Sequence, residues 1–415
     1  MGKIIKVSDE IFDKQLELLP KEVTFCKKCV ISNQRPRIRW NLKQEGVCSA
    51  CDYAYEKDNE INWEEREKQL QKVCDEHRSK NGSWDVIVPS SGGKDSGMVA
   101  HKLKHKYGMH PLTITWAPFI YTEIGWKNFI ALKDKGFDNI LVHPDGILHR
   151  KLSLLAFDLH GDAWDPFGYG QQYLAYHLSV KYNIPLIFFG ENGEIEYGGE
   201  DKHKNMVEAP MEDWEEIFYK GSSAQKLVDA GLKRNIFTKE EIASSSFDFY
   251  QPPKKEDLQR VGSRGHWMSY YERWTPQWNY YYAVENTGFI ANDDRSEGTY
   301  QKYGSIDDRL DGFHWWMAYM KFGICRTTYD AAHEIRDGHI NRDEAVALVH
   351  KYDGEFPVKY WKDFLEYLDI TDKEFWYVAD KYRSSHIWQP SGAKFGGHSP
   401  EAQYKLWKLR YQVEY

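Results

Sequence analysis

The sequence predicts an α/β protein: a doubly wound parallel sheet with an N-terminal zinc ribbon and a helical C-terminal region. Three observations predict it. Four short apolar runs, at 85–88, 112–116, 139–142 and 185–189, are each followed by a helical pattern, and strands that alternate with helices line up in parallel. Two Cys-x2-Cys pairs lie near the start of the chain. Helical periodicity returns at 311–322, 329–336 and 342–352 and continues through 361–382.

At 415 residues with 41% hydrophobic content, the chain is long enough for two or three domains with a sizeable core. Its 55 Lys and Arg against 63 Asp and Glu give a net charge of -8, so no overall basic field exists to hold a polyanion. A nucleic-acid partner is therefore disfavoured. The start, Met1-Gly2-Lys3-Ile4-Ile5-Lys6, lacks the apolar core of a signal peptide, and no stretch approaches the roughly 18 apolar residues of a membrane span. A cytoplasmic location is expected. Aromatic content is 15%, with 16 Trp and 28 Tyr, concentrated in the second half.

Taken in order, residues 1–80 are expected to form the ribbon and a connecting helix, the charged run 63–77, ended by Asn81-Gly82-Ser83. Residues 81–290 carry the alternating strands and helices. After Gly199 that rhythm fades through Ser244-Ser245-Ser246 and Pro252-Pro253 into an aromatic stretch at 267–282, read as a substrate-facing insertion. Residues 291–415 form the helical region.

Cys26, Cys29, Cys48 and Cys51 sit in a segment with little hydrophobic periodicity, which could hardly fold on packing alone. Two CxxC pairs eighteen residues apart suit a closed, tetrahedral Zn2+ site. An iron–sulfur cluster and a redox CxxC are the alternatives, but four thiolates leave no open position and no thioredoxin-like unit surrounds either pair. The metal is expected to shape an interface. The remaining thiols, Cys74 and Cys325, read as buried or incidental.

Residues 85–89 make a strand that runs into Ser91-Gly92-Gly93-Lys94-Asp95-Ser96, and a helix opens at 97–103. The turn thus lies at a strand's carboxyl end, where open α/β sheets bind ligands. Gly92 and Gly93 remove side chains that would block a phosphate, while backbone N–H groups and the helix N-terminus supply partial positive charge. Ser91 and Ser96 add hydroxyl donors. Neither GxxxxGK[ST] nor GxGxxG is present, which weakens kinase, GTPase and dehydrogenase readings.

This hexamer closely resembles the SGGxDS signature of the PP-loop ATP pyrophosphatases, whose fold is adenine nucleotide alpha hydrolase-like. The resemblance implies cleavage of ATP between the α and β phosphates, with pyrophosphate held by Ser91, Gly92, Gly93, Asp95 and Ser96, Mg2+ offsetting phosphate charge, and Lys94 and Asp95 aiding catalysis. A second strand-end turn, Phe189-Gly190-Glu191-Asn192-Gly193-Glu194, makes Asn192 and Glu194 site candidates on the same likeness.

A zinc ribbon joined to a PP-loop resembles two groups: tRNA thiolation enzymes and N-acetyl sugar amidotransferases. The thiolation reading requires a basic surface and cysteines to carry sulfur, and this chain is acidic with no CxxC left once zinc has four. The second half is similar to the sugar amidotransferases in four blocks: Glu297-Gly298-Thr299-Tyr300, Ser305-Ile306-Asp307-Asp308, Asp311-Gly312-Phe313-His314 and Tyr329-Asp330-Ala331-Ala332-His333-Glu334-Ile335-Arg336. That likeness implies adenylation of the acetamido oxygen of an N-acetylated sugar or nucleotide sugar, followed by displacement of AMP by ammonia. The product is an acetamidino sugar for bacterial O-antigen, or for the pseudaminic or legionaminic acid of flagellin glycans.

Trp267, Trp274, Trp278 and Tyr280 offer flat faces to such a sugar or else belong to the core. Asp307 and Asp308 read as ligands of sugar hydroxyls or metal, or as a solvated loop; His314 and His333 read as structural. Gly2 excludes an N-terminal cysteine nucleophile, and no other thiol sits in a nucleophile elbow. Ammonia is therefore expected from separate glutaminase subunits, which in this family resemble those of imidazole glycerol phosphate synthase. The ribbon is a candidate dock for them.

Overall fold

The computed structural model describes residues 7–199, 203–209, 220–393 and 400–415, apart from the side chains of 401 and 402. Residues 1–6, read above for a signal sequence, lie outside the described residues. Five parallel strands form the central sheet: β1 (Val86–Pro89), β2 (Pro111–Trp116), β3 (Asp138–Val142), β4 (Leu186–Phe189) and β5 (Arg264–Trp267). Their order is β3-β2-β1-β4-β5. Strands are added outward from β1 on one side and then, after β3, on the other.

Period-two alternation sends neighbouring residues to opposite faces. Ile87, Leu112, Ile114 and Ile187 join one buried cluster with the helices Gly146–His160 and Asp165–Tyr182. Val86, Val88, Leu186 and Phe188 join another with Met98, Val99 and Leu103 of the helix Lys94–His105. Both faces are covered, which is why these strands read as continuous apolar runs.

Four strands fall where the apolar runs place them, and the fifth does not. Arg-Gly-His-Trp at 264–267 contains no apolar run, yet it pairs with β4 from Leu186↔Arg264 to Phe189↔Trp267. Gly265 admits the strand, because a Cβ there would stand 2.3 Å from the Tyr176 hydroxyl and 2.8 Å from Phe189. The segment expected as an insertion contributes Leu227, Val228, Phe237, Phe247, Tyr250 and Leu258 to the core over one face of the sheet.

The helices Asp311–Phe322, Arg326–Arg336 and Arg342–Tyr352 follow the expected periodicity. The helical pattern expected through 361–382 is present as two helices, Trp361–Leu368 and Asp372–Lys381. Asp369 takes a left-handed conformation (φ 52°), and Thr371 and Glu374 form a reciprocal capping box that starts the second helix.

The cysteine module shares a core with this C-terminal region: Val30, Ile31, Val47 and Ala50 pack with Phe322, Ile324, Ala331, Ala332 and Val346. It also sits on the turn after β4. Ser49 donates to the Gly198 carbonyl at 2.6 Å, Lys57 pairs with Glu196 at 2.8 Å with both side chains buried, and Arg37 pairs with Glu194.

Candidate functional site

Adjacent strands β1 and β4 are where the winding of the sheet reverses, so the turns after them face one crevice. Ser91 to Gly93 form the turn after β1, and Lys94, Asp95 and Ser96 make the first turn of the helix, which opens three residues earlier than the expected 97. Gly92 has φ +85°, and a Cβ there would lie 2.6 Å from the backbone N and Cα of Phe129. Gly93 begins the helix Lys94–His105 with no side-chain cap, leaving its first N–H groups to face the crevice. Ser90 donates to the Ser96 hydroxyl at 2.9 Å, bracing the turn across its base. Lys94 reaches Asp95 at 2.6 Å, and Asn279 donates to the other Asp95 oxygen at 2.9 Å.

Two cavities meet here. The first, about 480 Å³, is lined by Ser91, Gly93, Lys94, Asp95 and Ser96 together with apolar walls from Phe189, Trp267 and Phe289. The second, about 400 Å³, lies between the cysteine module and the helices Asp311–Phe322 and Arg326–Arg336. Arg35 and Arg37 form one side, Trp315, Tyr329, His333 and Glu334 another. Lys94, Asp95, Glu191 and Arg326 line both and so form the seam between them.

The predicted residues divide by position. Asp307 lines the first cavity and receives a hydrogen bond from Ser91; burial, with Asp311 nearby, pushes its carboxyl above the usual range. Its neighbour Asp308 faces away. That carboxylate accepts the backbone N–H groups of Phe119 and Leu310, and a bridge between Tyr121 and Asp308 ties the loop to the segment after β2. The Asp308 carboxylate is thus engaged in holding the loop in place.

Glu194 lines the second cavity beside its partner Arg37. Asn192 instead caps the short helix Gly193–Glu196, accepting the Glu194 N–H at 3.2 Å while its own N–H donates to Ser269. Trp278 is 47% exposed on the outer side of its helix, with the Lys102 ammonium 4.3 Å from its ring centre, and lines neither cavity. Of the other aromatics, Trp274 is core, Trp267 walls the first cavity, and Tyr280 stacks at 4.3 Å on Tyr303, which lines it.

His314 holds Asp162 at 2.8 Å, in a buried network where Lys220 also reaches Asp162 and Asp165. His333 lines the second cavity as His314 does, but it is buried and both its ring nitrogens lack a hydrogen-bond partner among the described residues. Burial holds its pKa well below that of free histidine, and the cations Arg336, Lys57, Lys94 and Arg326 add to this.

Two residues at the seam escaped the sequence reading. Glu191 lies inside a motif that was singled out, but nothing in its spacing distinguishes it from Glu194. Arg326 brings a cation from the C-terminal region, and it stacks over Trp315 at 4.7 Å and pairs with Asp330 at 3.0 Å.

The four cysteine sulfurs lie within 4.8 Å of one another and are all buried, the one such metal-ligating group among the described residues. Cys29 and Cys48 are 3.7 Å apart and Cys26 and Cys51 3.9 Å. Thiolates at ~2.3 Å from a tetrahedral zinc are separated by about 3.8 Å, so the residues fit the ion. Backbone N–H groups of Lys28, Cys29 and Cys48 point at the Cys26 sulfur at 3.4 to 3.5 Å, which orients it as a ligand.

Residues 297–397 match the family model described as LPS biosynthesis protein WbpG-like, C-terminal domain. All four sequence blocks from Glu297 to Arg336 fall inside that match, as do Trp315, Arg326, His333 and Glu334 of the second cavity. No curated protein matches the chain. Among the described residues no helix is long and apolar enough to cross a membrane.

Proposed function

We propose that this chain is an ATP-dependent amidotransferase of bacterial surface-glycan biosynthesis, which adenylates the acetamido oxygen of an N-acetylated sugar and exchanges it for nitrogen. The observation that carries the reading is the seam: the glycine turn after β1 opens into one cavity, and a second, polar cavity meets it at Lys94, Asp95, Glu191 and Arg326. The match of residues 297–397 to a lipopolysaccharide-biosynthesis domain supports a sugar as the occupant of the second cavity.

ATP takes the first cavity, its base against Phe189, Trp267 and Phe289 and its β and γ phosphates on the N–H groups of the turn. Asp95 and Asp307 open on the same cavity, and Mg2+ bound through phosphates needs only one or two such carboxylates. Held by Asp95 or Asp307, the ion would neutralise phosphate charge. Lys94 and Arg326 stand where negative charge develops as the amide oxygen attacks the α-phosphate. An amide oxygen is a poor leaving group and AMP a good one, which is why ATP is consumed. Arg35, Arg37, Glu194, Asp330 and Glu334 offer donors and acceptors for sugar hydroxyls. Zn2+ on the four cysteines is structural, and ammonia comes from separate glutaminase subunits in the cytoplasm.

The thiolation alternative lacks a usable thiol. Cys74 and Cys325 are both buried, and burial pushes the Cys74 thiol up to about 12 and that of Cys325 higher still.

Pyrophosphate release from ATP tests the proposal. It should require both an N-acetylated sugar and this turn, so Asp95→Ala should lower it by about 100-fold or more with the circular dichroism spectrum unchanged. Sugar-independent release, or full activity in Asp95→Ala, would sink the assignment.

A further inference from the structure

At the seam one carboxyl group, Glu191, is given no part in the adenylation proposed above. Asp95 is held by Lys94 and Asn279, and Glu194 by Arg37, whereas Glu191 has one side-chain hydrogen bond among the described residues, from the Tyr197 hydroxyl at 3.3 Å. Its side chain lines both cavities where they join.

We infer that Glu191 is the proton acceptor of the amination half-reaction, an inference that rests on the adenylation reading above. Once the amide oxygen has bonded to the α-phosphorus and pyrophosphate has left, the imidoyl carbon bears AMP. The ammonia lone pair forms a C–N bond to that carbon, and the C=N π pair moves onto the sugar nitrogen. The new nitrogen carries three hydrogens and a positive charge, and while it does so ammonia leaves as easily as it came. Transfer of one proton to a Glu191 oxygen commits the adduct. The C–O bond then breaks with its electron pair on AMP, the C=N bond re-forms as an amidine, and Glu191 later gives its proton to water.

The surroundings suit a base for this step. Burial, then the negative charges of Asp95 and Glu196, raise the Glu191 pKa to about 7, against the opposing pull of Lys94 and Arg326. A base poised near the working pH is the most effective proton acceptor. His333, also in the second cavity, has its pKa shifted downward and is a poor acceptor. Groups facing Glu191 come from three elements: Lys94 and Asp95 from the helix after β1, Glu196 and Tyr197 from the turn after β4, and Arg326 from the C-terminal region.

The test separates the two half-reactions in the full-length chain, using a panel of free and UDP-linked N-acetylhexosamines with ammonium chloride. Glu191→Gln should keep single-turnover pyrophosphate release within a few-fold of wild type while amidine formation falls about 100-fold or more. Glu191→Asp should recover part of that loss. At a fixed concentration of free ammonia, the wild-type amidine rate should rise with pH through about 7 as the carboxyl loses its proton, and the Glu191→Gln rate should not. Amidine formation at the wild-type rate in Glu191→Gln, or equal loss of both half-reactions, would overturn the inference. If the wild-type chain releases no pyrophosphate with any sugar of the panel, the adenylation reading itself fails, and the inference with it.

Discussion

Gly92 and Gly93 look alike in the sequence but have different tasks. A methyl group on Gly92 meets the Phe129 backbone, which cannot rotate away, and the left-handed φ adds strain of ~1–3 kcal/mol. Gly92→Ala should therefore lower the melting temperature as well as abolish ATP use. Gly93 has an ordinary φ, and its nearest neighbour would be the Ser91 hydroxyl at 3.5 Å. Gly93→Ala should melt like the wild type yet lose ATP affinity by about 10-fold or more, because the methyl would intrude on the proposed phosphate seat. Calorimetry and nucleotide titration of the two variants check this, and equal melting losses would contradict it. These glycines stood out in the sequence because a phosphate seat, if the turn is one, demands the absence of side chains. Asp307 and Asp308 were not separable, since which one faces the crevice depends on the bridge from Tyr121 to Asp308, a pairing across 187 positions that no local pattern encodes.

Among elements, the cysteine module shows how a correct local reading can miss a role. Four thiolates at zinc spacing were readable, and the structure brings them together. Their setting was not, because Lys57–Glu196 and Ser49–Gly198 join residues more than a hundred apart. The loop between the CxxC pairs carries Arg35 and Arg37 into the wall of the second cavity. Structural zinc is worth on the order of 10 kcal/mol to modules of this kind. Cys29→Ser should therefore strip the metal, seen by elemental analysis, and weaken sugar-stimulated pyrophosphate release more than nucleotide binding. A metal-free variant with unchanged sugar dependence would contradict this. The break at Asp369 is a milder lesson: Thr371 and Glu374 spell a capping box, a start signal hidden inside a run of helical periodicity.

On the scale of the whole molecule, the strand order determines what can meet. Because β4 returns beside β1, the turn at Ser91–Ser96 and the turn at Glu191 share a crevice, and the C-terminal region closes over it with Arg326 and Tyr303. The parallel sheet could be read from its four apolar strands, but not the fifth, nor the way both ends of the chain converge on one side of the site. That convergence creates the second cavity, and on it rests the central claim that an amide oxygen is carried onto AMP. The most direct measurement uses an N-acetylated sugar labelled with 18O in its acetamido group, turned over with ATP and ammonia. Mass spectrometry should find the label on the phosphoryl group of AMP and an unlabelled amidino sugar. Unlabelled AMP, with the 18O still in the sugar or released to water, would contradict the account.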